Sequence, residues 1–337
     1  MKVWKHLLMV CFSVLMAITF FTAGPAAAKT KKITIAYFPG WPGTFEYGWA
    51  QGWFEKEMGV KVDFREFGSG ADMTTAMASG DISIAYALGT TPFTIAVTQG
   101  LPLKLVAISE NYSQSENLVA RSGTGIVSPR DLIGKTVGVP FGTTAHYRFM
   151  GILNTFGIKE NQLKILDLSN PDIISAFIRK DIDAGCAWEP AVSQMLENGG
   201  HLLVSSEDQI RWGYSTYGVV ATSEKFAQES QDLIVKFLQV MNDSTAFYHK
   251  DPAACYPLIG EKAGITAEKT KAIMDTMGFY EKNVQLSPAW MGTTGKTGDI
   301  VVNLKKVADF LVSQKALDKA KDDYSQFIDS SYMEKVK

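Results

Sequence analysis

Short apolar, β-branched runs recur along the chain at 33–38, 60–67, 82–88, 103–109, 136–141, 163–168 and 184–188, each of strand length. Between them lie helix-like segments at 71–78, 92–99, 145–156, 171–179 and 190–197, several opened by Ser, Thr, Asp or Pro and closed near Gly. This alternation predicts an α/β protein whose parallel sheets carry helices on both faces. From Glu224 onward the pattern changes to long helices, 225–249, 267–277 and 299–317, expected to clamp or bridge the lobes. No repeat at a solenoid period interrupts the pattern.

The first 28 residues read differently. Lys2 and Lys5 precede an apolar run from 7 to 23, Gly24-Pro25 breaks it, and three alanines follow before Lys29. That is the pattern of a secretory signal peptide cleaved near Ala28. The run is short of the roughly 20 apolar residues a membrane span needs, and Cys11 follows Val10, where a lipoprotein signal has a small residue. The mature protein is therefore expected to be exported.

Composition then narrows the function. With 337 residues, 46% apolar and 20% charged, the chain is an ordinary folded protein of about two domains' length. Its 33 basic and 35 acidic side chains leave a net charge of −2, so no positive field attracts nucleic acid or an anionic membrane. Three cysteines without CxxC spacing give no support for a metal or thiol site, and no cofactor is expected.

A two-lobed α/β protein binds small molecules between its lobes, at the carboxyl ends of the strands. The turns there read FPGWPGTFE (38–46), GSGAD (68–72), LGTTP (88–92), FGTTAH (141–146) and WEP (188–190). Three of the five are small, hydroxyl-rich and open a helix. Helix starts present unpaired N–H groups and partial positive charge, so Ser69-Gly70-Ala71, Thr90-Thr91 and Thr143-Thr144 are candidates to converge on one tetrahedral oxyanion without lysine or arginine. At any single turn, capping of its own helix accounts for such residues; three in series make the shared anion the competing reading. Neither a GxxxxGK[ST] nor a GxGxxG loop is present.

The segments GSGADMTTAMASGDISIAYALGTTP, DLIGKTVGVPFGTTAHY, AFIRKDIDAGCAWEPAV and DDYSQFI closely resemble the sulfonate, nitrate and taurine substrate-binding family of ABC importers, from about residue 33 to 328. The resemblance implies a type II periplasmic-binding fold, each lobe a mixed, mainly parallel sheet flanked by helices. Residues 29–115 with 216–337 would form lobe 1, and 116–215 lobe 2. It implies a monomeric receptor that captures taurine or a related aliphatic sulfonate and passes it to a membrane permease with its ATPase. The sulfonate would be held by Ser69, Gly70, Ala71, Thr90, Thr91, Thr143 and Thr144, the same positions reached from the helix starts.

One departure concerns the ligand's amine. The family often has Glu-Pro in the first loop, where this chain has Trp41-Pro42. Glu46 and Glu189 are the candidate replacements, each with the alternative of a dipole-stabilised helix-start acid. Trp41, Trp188 and Trp212 are expected as aromatic walls, since ring faces attract ammonium groups, while Tyr37 and Tyr86 are expected in the core. Two other readings stay open: a receptor for nitrate, a sulfated or a quaternary amine, and a sulfinate-type hydrolase. For the latter, His146 is the one histidine near a cleft turn; Cys186, in the apolar AGCAW run, is expected to be a buried inert thiol, and both it and Cys255 to stay free.

Overall fold

The apolar runs form strands, and the computed structural model describes residues 32–337, so the expected signal peptide lies outside the described residues. The strands of the two main sheets are, in chain order, β1 (Lys32–Tyr37), β2 (Lys61–Glu66), β3 (Ile84–Gly89), β4 (Leu103–Asn111), β5 (Glu116–Arg121), β6 (Thr136–Val139), β7 (Lys164–Asp167), β8 (Ala184–Trp188), β9 (Gly200–Val204) and β10 (Tyr217–Ser223). They build two five-stranded sheets, β2-β1-β3-β10-β4 and β7-β6-β8-β5-β9. The inner strands β3 (IAYALG) and β8 (AGCAW) are buried along their whole length, as parallel strands covered on both faces must be, whereas the edge strand β2 (KVDFRE) alternates with charge.

Neither sheet is wholly parallel. In the first, β10 runs antiparallel between β3 and β4; in the second, β5 runs antiparallel between β8 and β9. The chain crosses from the first sheet to the second between Asn111 and Glu116 and returns between Val204 and Tyr217. The strand that follows each crossing is the antiparallel one. A β/α alternation has no signal for such a strand, because its neighbours in the sheet come from distant parts of the chain.

Helices cover both sheets. They are α1 (Thr44–Ala50), α2 (Trp53–Met58), α3 (Gly70–Ser79), α4 (Thr90–Thr98), α5 (Thr144–Phe156), α6 (Asn170–Arg179), α7 (Ala191–Glu197) and α8 (Ser206–Arg211), then α9 (Glu224–Glu229), α10 (Gln231–Lys250), α11 (Pro252–Ala263), α12 (Ala267–Met274), α13 (Lys282–Gln285) and α14 (Ile300–Ser313). The long helix expected over 225–249 is two, broken at Ser230, and 252–263 forms a further helix despite an internal proline. The starts are set by side-chain caps: Ser69, Thr143, Ser169 and Ser205 each accept the N–H three residues on.

Two irregularities aim the first sheet at the interlobe space. Between its pairings at Ala85 and Leu88, β3 holds one residue more than β10 does between Ala221 and Val219. The surplus is taken up at Ala87, whose φ of 58° lies in the left-handed region rare for a residue with a Cβ. The bulge presents the Ala87 carbonyl to the Tyr112 hydroxyl, which donates to it at 3.1 Å. The second irregularity is Gly89, where a Cβ would stand 2.7 Å from Thr144 Cγ2. Helices of the two lobes meet there at a separation only glycine permits.

Candidate functional site

Three helix starts frame one cavity between the sheets, about 340 Å³ of atom-free space. Gly70 opens α3 and Gly89 with Pro92 opens α4, both from the first sheet; Thr143 and Thr144 open α5 from the second. The first residues of each helix have no intrahelical acceptor for their N–H groups, and none of the cavity-lining residues is a lysine or arginine. Phe38, Trp41, Tyr112 and Trp188 form aromatic walls, and Ala87 and Glu116 complete the lining.

The helix-start hydroxyls do not all face the cavity free. Ser69 Oγ accepts from Asp72 N–H and donates to its carboxylate at 2.7 Å, so it serves its own helix. Thr143 likewise caps α5, accepting from His146 N–H and donating to the Pro140 carbonyl. Thr90 Oγ1 accepts from Tyr217 N–H, while Thr91 Oγ1 is buried with no hydrogen-bond partner among the described residues. Thr144 donates to Glu116 Oε1. Ala71 sits beside Gly142 across the cleft. The capping reading thus holds for Ser69 and Thr143, and the N–H groups remain the donors common to all three starts.

The sequence reading missed Glu116 and its partner. Glu116 lies at the first residue of β5, and its Oε2 is 3.1 Å from Arg148 Nε and accepts from Thr216 Oγ1 at 2.8 Å. Arg148 is fully buried in α5; its guanidinium also donates to Ser206 Oγ and to the Tyr112 carbonyl. Burial draws its basicity down and the neighbouring Glu116 carboxylate opposes this. The signal was there: an arginine inside the apolar run TAHYRFMGIL has to find a buried anion.

Of the candidate aromatic and acidic residues, Trp41 and Trp188 line the cavity. Trp212 does not; it ends α8 and packs edge-on against Phe156 at 5.4 Å. Glu46 turns into its own helix start, where Oε2 accepts from Gly43 N–H at 2.9 Å; burial holds its carboxyl well above the usual range. Glu189 accepts from Ser193 N–H at 3.1 Å and is also pushed up by burial. Both acids are therefore helix-start caps, because a donor four or fewer residues away satisfies them before a ligand does. Tyr86 stacks on Phe45 at 4.3 Å in the core, and Tyr37 packs on Trp49.

His146 stacks flat on Phe141 at 4.5 Å, and its Nδ1 accepts from Gly142 N–H. Burial lowers its pKa to about 4. Cys186 and Cys255 are free and buried; burial pushes the Cys186 thiol up, and its Sγ rests against the Ala145 carbonyl at 3.5 Å. Neither thiol has the exposed, electropositive setting of a nucleophile.

Two sheets of matching strand order, joined by two crossings and enclosing a cavity lined from both sides, are the construction of the periplasmic-binding-protein fold. Residues 46–255 match the model of the family described as NMT1/THI5 like, and the chain belongs to that family. It is 33% identical to the taurine-binding periplasmic protein of Escherichia coli (strain K12) over 83% of this chain and 86% of that one. The fold is similar to that of the alkanesulfonate-binding protein SsuA from Xanthomonas axonopodis pv. citri, bound to MOPS, with a TM-score of 0.71 at 18% identity over 87% of this chain and 96% of that one. It is similar as well to the desulfurization enzyme DSZB, with a TM-score of 0.62 at 13% identity over 90% and 98% of the two chains. Fold likeness at this level does not separate receptor from enzyme.

Proposed function

We propose that the protein is the periplasmic receptor of an ABC importer, capturing taurine or a related aliphatic sulfonate between its lobes and handing it to a permease with its ATPase. The observation that carries this is the meeting of three helix starts, at Gly70, Gly89–Pro92 and Thr143–Thr144, on one cavity free of lysine and arginine. A sulfonate has three oxygens on a tetrahedral sulfur and takes N–H donors from three directions, whereas a planar carboxylate leaves some of them unpaired, each at a cost of about 1–3 kcal/mol. The helix dipoles supply the positive potential.

In this reading Ser69 and Thr143 act by fixing the helix starts, and Gly70, Ala71, Thr90, Thr91, Thr143 and Thr144 hold the sulfonate through their backbone. Trp41, Tyr112 and Trp188 receive the aliphatic and amino end. Lobe 1 comprises 29–115 and 216–337, lobe 2 comprises 116–215, and residues 1–28 direct export. The 33% identity to a taurine-binding protein supports taurine as the first ligand to test.

Thermal unfolding of the mature protein with taurine, ethanesulfonate, nitrate and β-alanine tests it. A ligand at a hundred times its Kd stabilises the folded state by about 2.7 kcal/mol. The two sulfonates are expected to raise Tm well above the shift given by β-alanine. Equal shifts with taurine and β-alanine overturn the proposal.

A further inference from the structure

Trp41 lines the cavity, and its indole N–H donates to Glu110 Oε1 at 3.2 Å. Glu110, near the end of β4, is wholly buried. Its side chain lies over Gly218 of β10, where a Cβ would stand 2.1 Å from Oε1, so glycine is what makes room for the carboxyl. The other oxygen, Oε2, accepts no well-formed hydrogen bond from the described residues. The groups bearing on Glu110 are the Trp41 N–H, the Ser109 and Tyr112 hydroxyls, Tyr86 on β3 and Glu46 on α1; none of them is a cation. Tyr112 meets Trp41 edge-on at 5.4 Å and lines the same cavity.

A buried carboxyl bonded to a ligand-facing indole, with no cation beside it, is expensive to ionise unless positive charge comes near. We propose that Glu110 is the specificity-determining residue for the ligand's amine: acting through Trp41 it places negative charge behind the aromatic wall and so favours a sulfonate bearing an ammonium group over one without. This rests on the sulfonate-receptor reading and deepens it. An indole that donates to a carboxylate is richer in electrons, and its ring face attracts a cation more strongly. Glu116, the acid on the cavity wall itself, is paired with Arg148 and accepts from two threonine hydroxyls.

The arrangement links amine binding to a proton. Burial raises the Glu110 pKa to about 7, so near neutral pH the carboxyl is part protonated. An ammonium group entering the cavity favours the ionised form; the carboxyl O–H breaks and the proton passes to solvent. A sulfonate with no amine offers no such stabilisation.

Calorimetric titration of taurine and of ethanesulfonate at pH 6 and pH 8, in buffers of different ionisation enthalpy, tests this on the wild-type protein. The taurine-to-ethanesulfonate affinity ratio is expected to rise about fivefold from pH 6 to pH 8, and taurine alone to release about half a proton near pH 6.5. In Glu110→Gln the ratio is expected to be lower and independent of pH. A wild-type ratio that ignores pH, no proton release with taurine, or the same ratio in Glu110→Gln overturns the assignment while leaving the sulfonate receptor standing. Wild-type protein that binds neither sulfonate overturns both.

Discussion

Arg148 is among the largest fully buried side chains of the described residues, and its position explains more of the site than any helix cap. It ties α5 to the first residue of β5, to Ser206 at the start of α8 and to the carbonyl of Tyr112 on the crossing segment. Removing one member of a buried ion pair leaves the other uncompensated, at a cost of about 3–5 kcal/mol. Arg148→Met is therefore expected to lose about that much stability in urea unfolding, and Glu116→Gln in the same chain to restore part of it. Additive losses would show that the two side chains do not act as a pair. The helix starts of the site were legible in the sequence because GSGAD, LGTTP and FGTTAH are local signals. Glu110, Tyr112 and Glu116 were not, because their roles come from Trp41, Ala87 and Arg148, residues brought near by topology alone.

The start of α5 and the loop before it form an element with its own pH response. His146 is held neutral by burial, its Nδ1 accepting the Gly142 N–H at the cavity rim. The unfolded chain takes up a proton near pH 6.5 and the folded one only near 4, so this contribution to stability is complete above 6.5 and shrinks as pH falls toward 4. The slope approaches about 1.4 kcal/mol per pH unit. Urea titrations of wild type and His146→Gln between pH 7 and 4 are expected to converge as pH falls; parallel curves would mean that the imidazole titrates normally in the folded state. The same scale shows what patterning conveys about the fold. Parallel strands such as β3 and β8 are continuous apolar runs and stand out. The strands β5 (ENLVAR), β9 (GHLLV) and β10 (YGVVATS) were missed, being paired antiparallel to partners that no local pattern names.

Across the whole molecule the lobes touch at several separate points, among them the Lys269–Glu197 ion pair and Phe38 against Trp188. Tyr147 and Tyr214 pack on Phe310 of α14, Pro190 lies against Gly40, and Gly89 meets Thr144. The two cavity glycines differ in which body they join. A Cβ at Gly70 would stand 2.5 Å from Pro92 of the neighbouring helix in the same lobe, which cannot step aside without unpacking. At Gly89 the atom met, Thr144 Cγ2, belongs to the other lobe, and opening relieves it. Gly70→Ala is expected to lower Tm by several degrees, a loss of about 1–3 kcal/mol from overpacking. Gly89→Ala should leave Tm nearly unchanged but weaken taurine at least tenfold and enlarge the radius of gyration measured with ligand. The reverse ranking would mean that Gly89 is a packing residue and not a point of closure.

The crossing pattern has a consequence for how the chain comes into being. The second sheet is assembled from one unbroken stretch, β5 to β9, and is complete as soon as Val204 has been made. The first sheet is not. β3 and β4 emerge early, but β10, the strand that belongs between them, comes only after the entire second lobe. For that interval two apolar strands wait with open hydrogen-bonding edges, the condition under which strands pair with the wrong neighbour. The lobe begun first is thus the one finished last, and a newly made chain is most in need of protection while β10 is still to come.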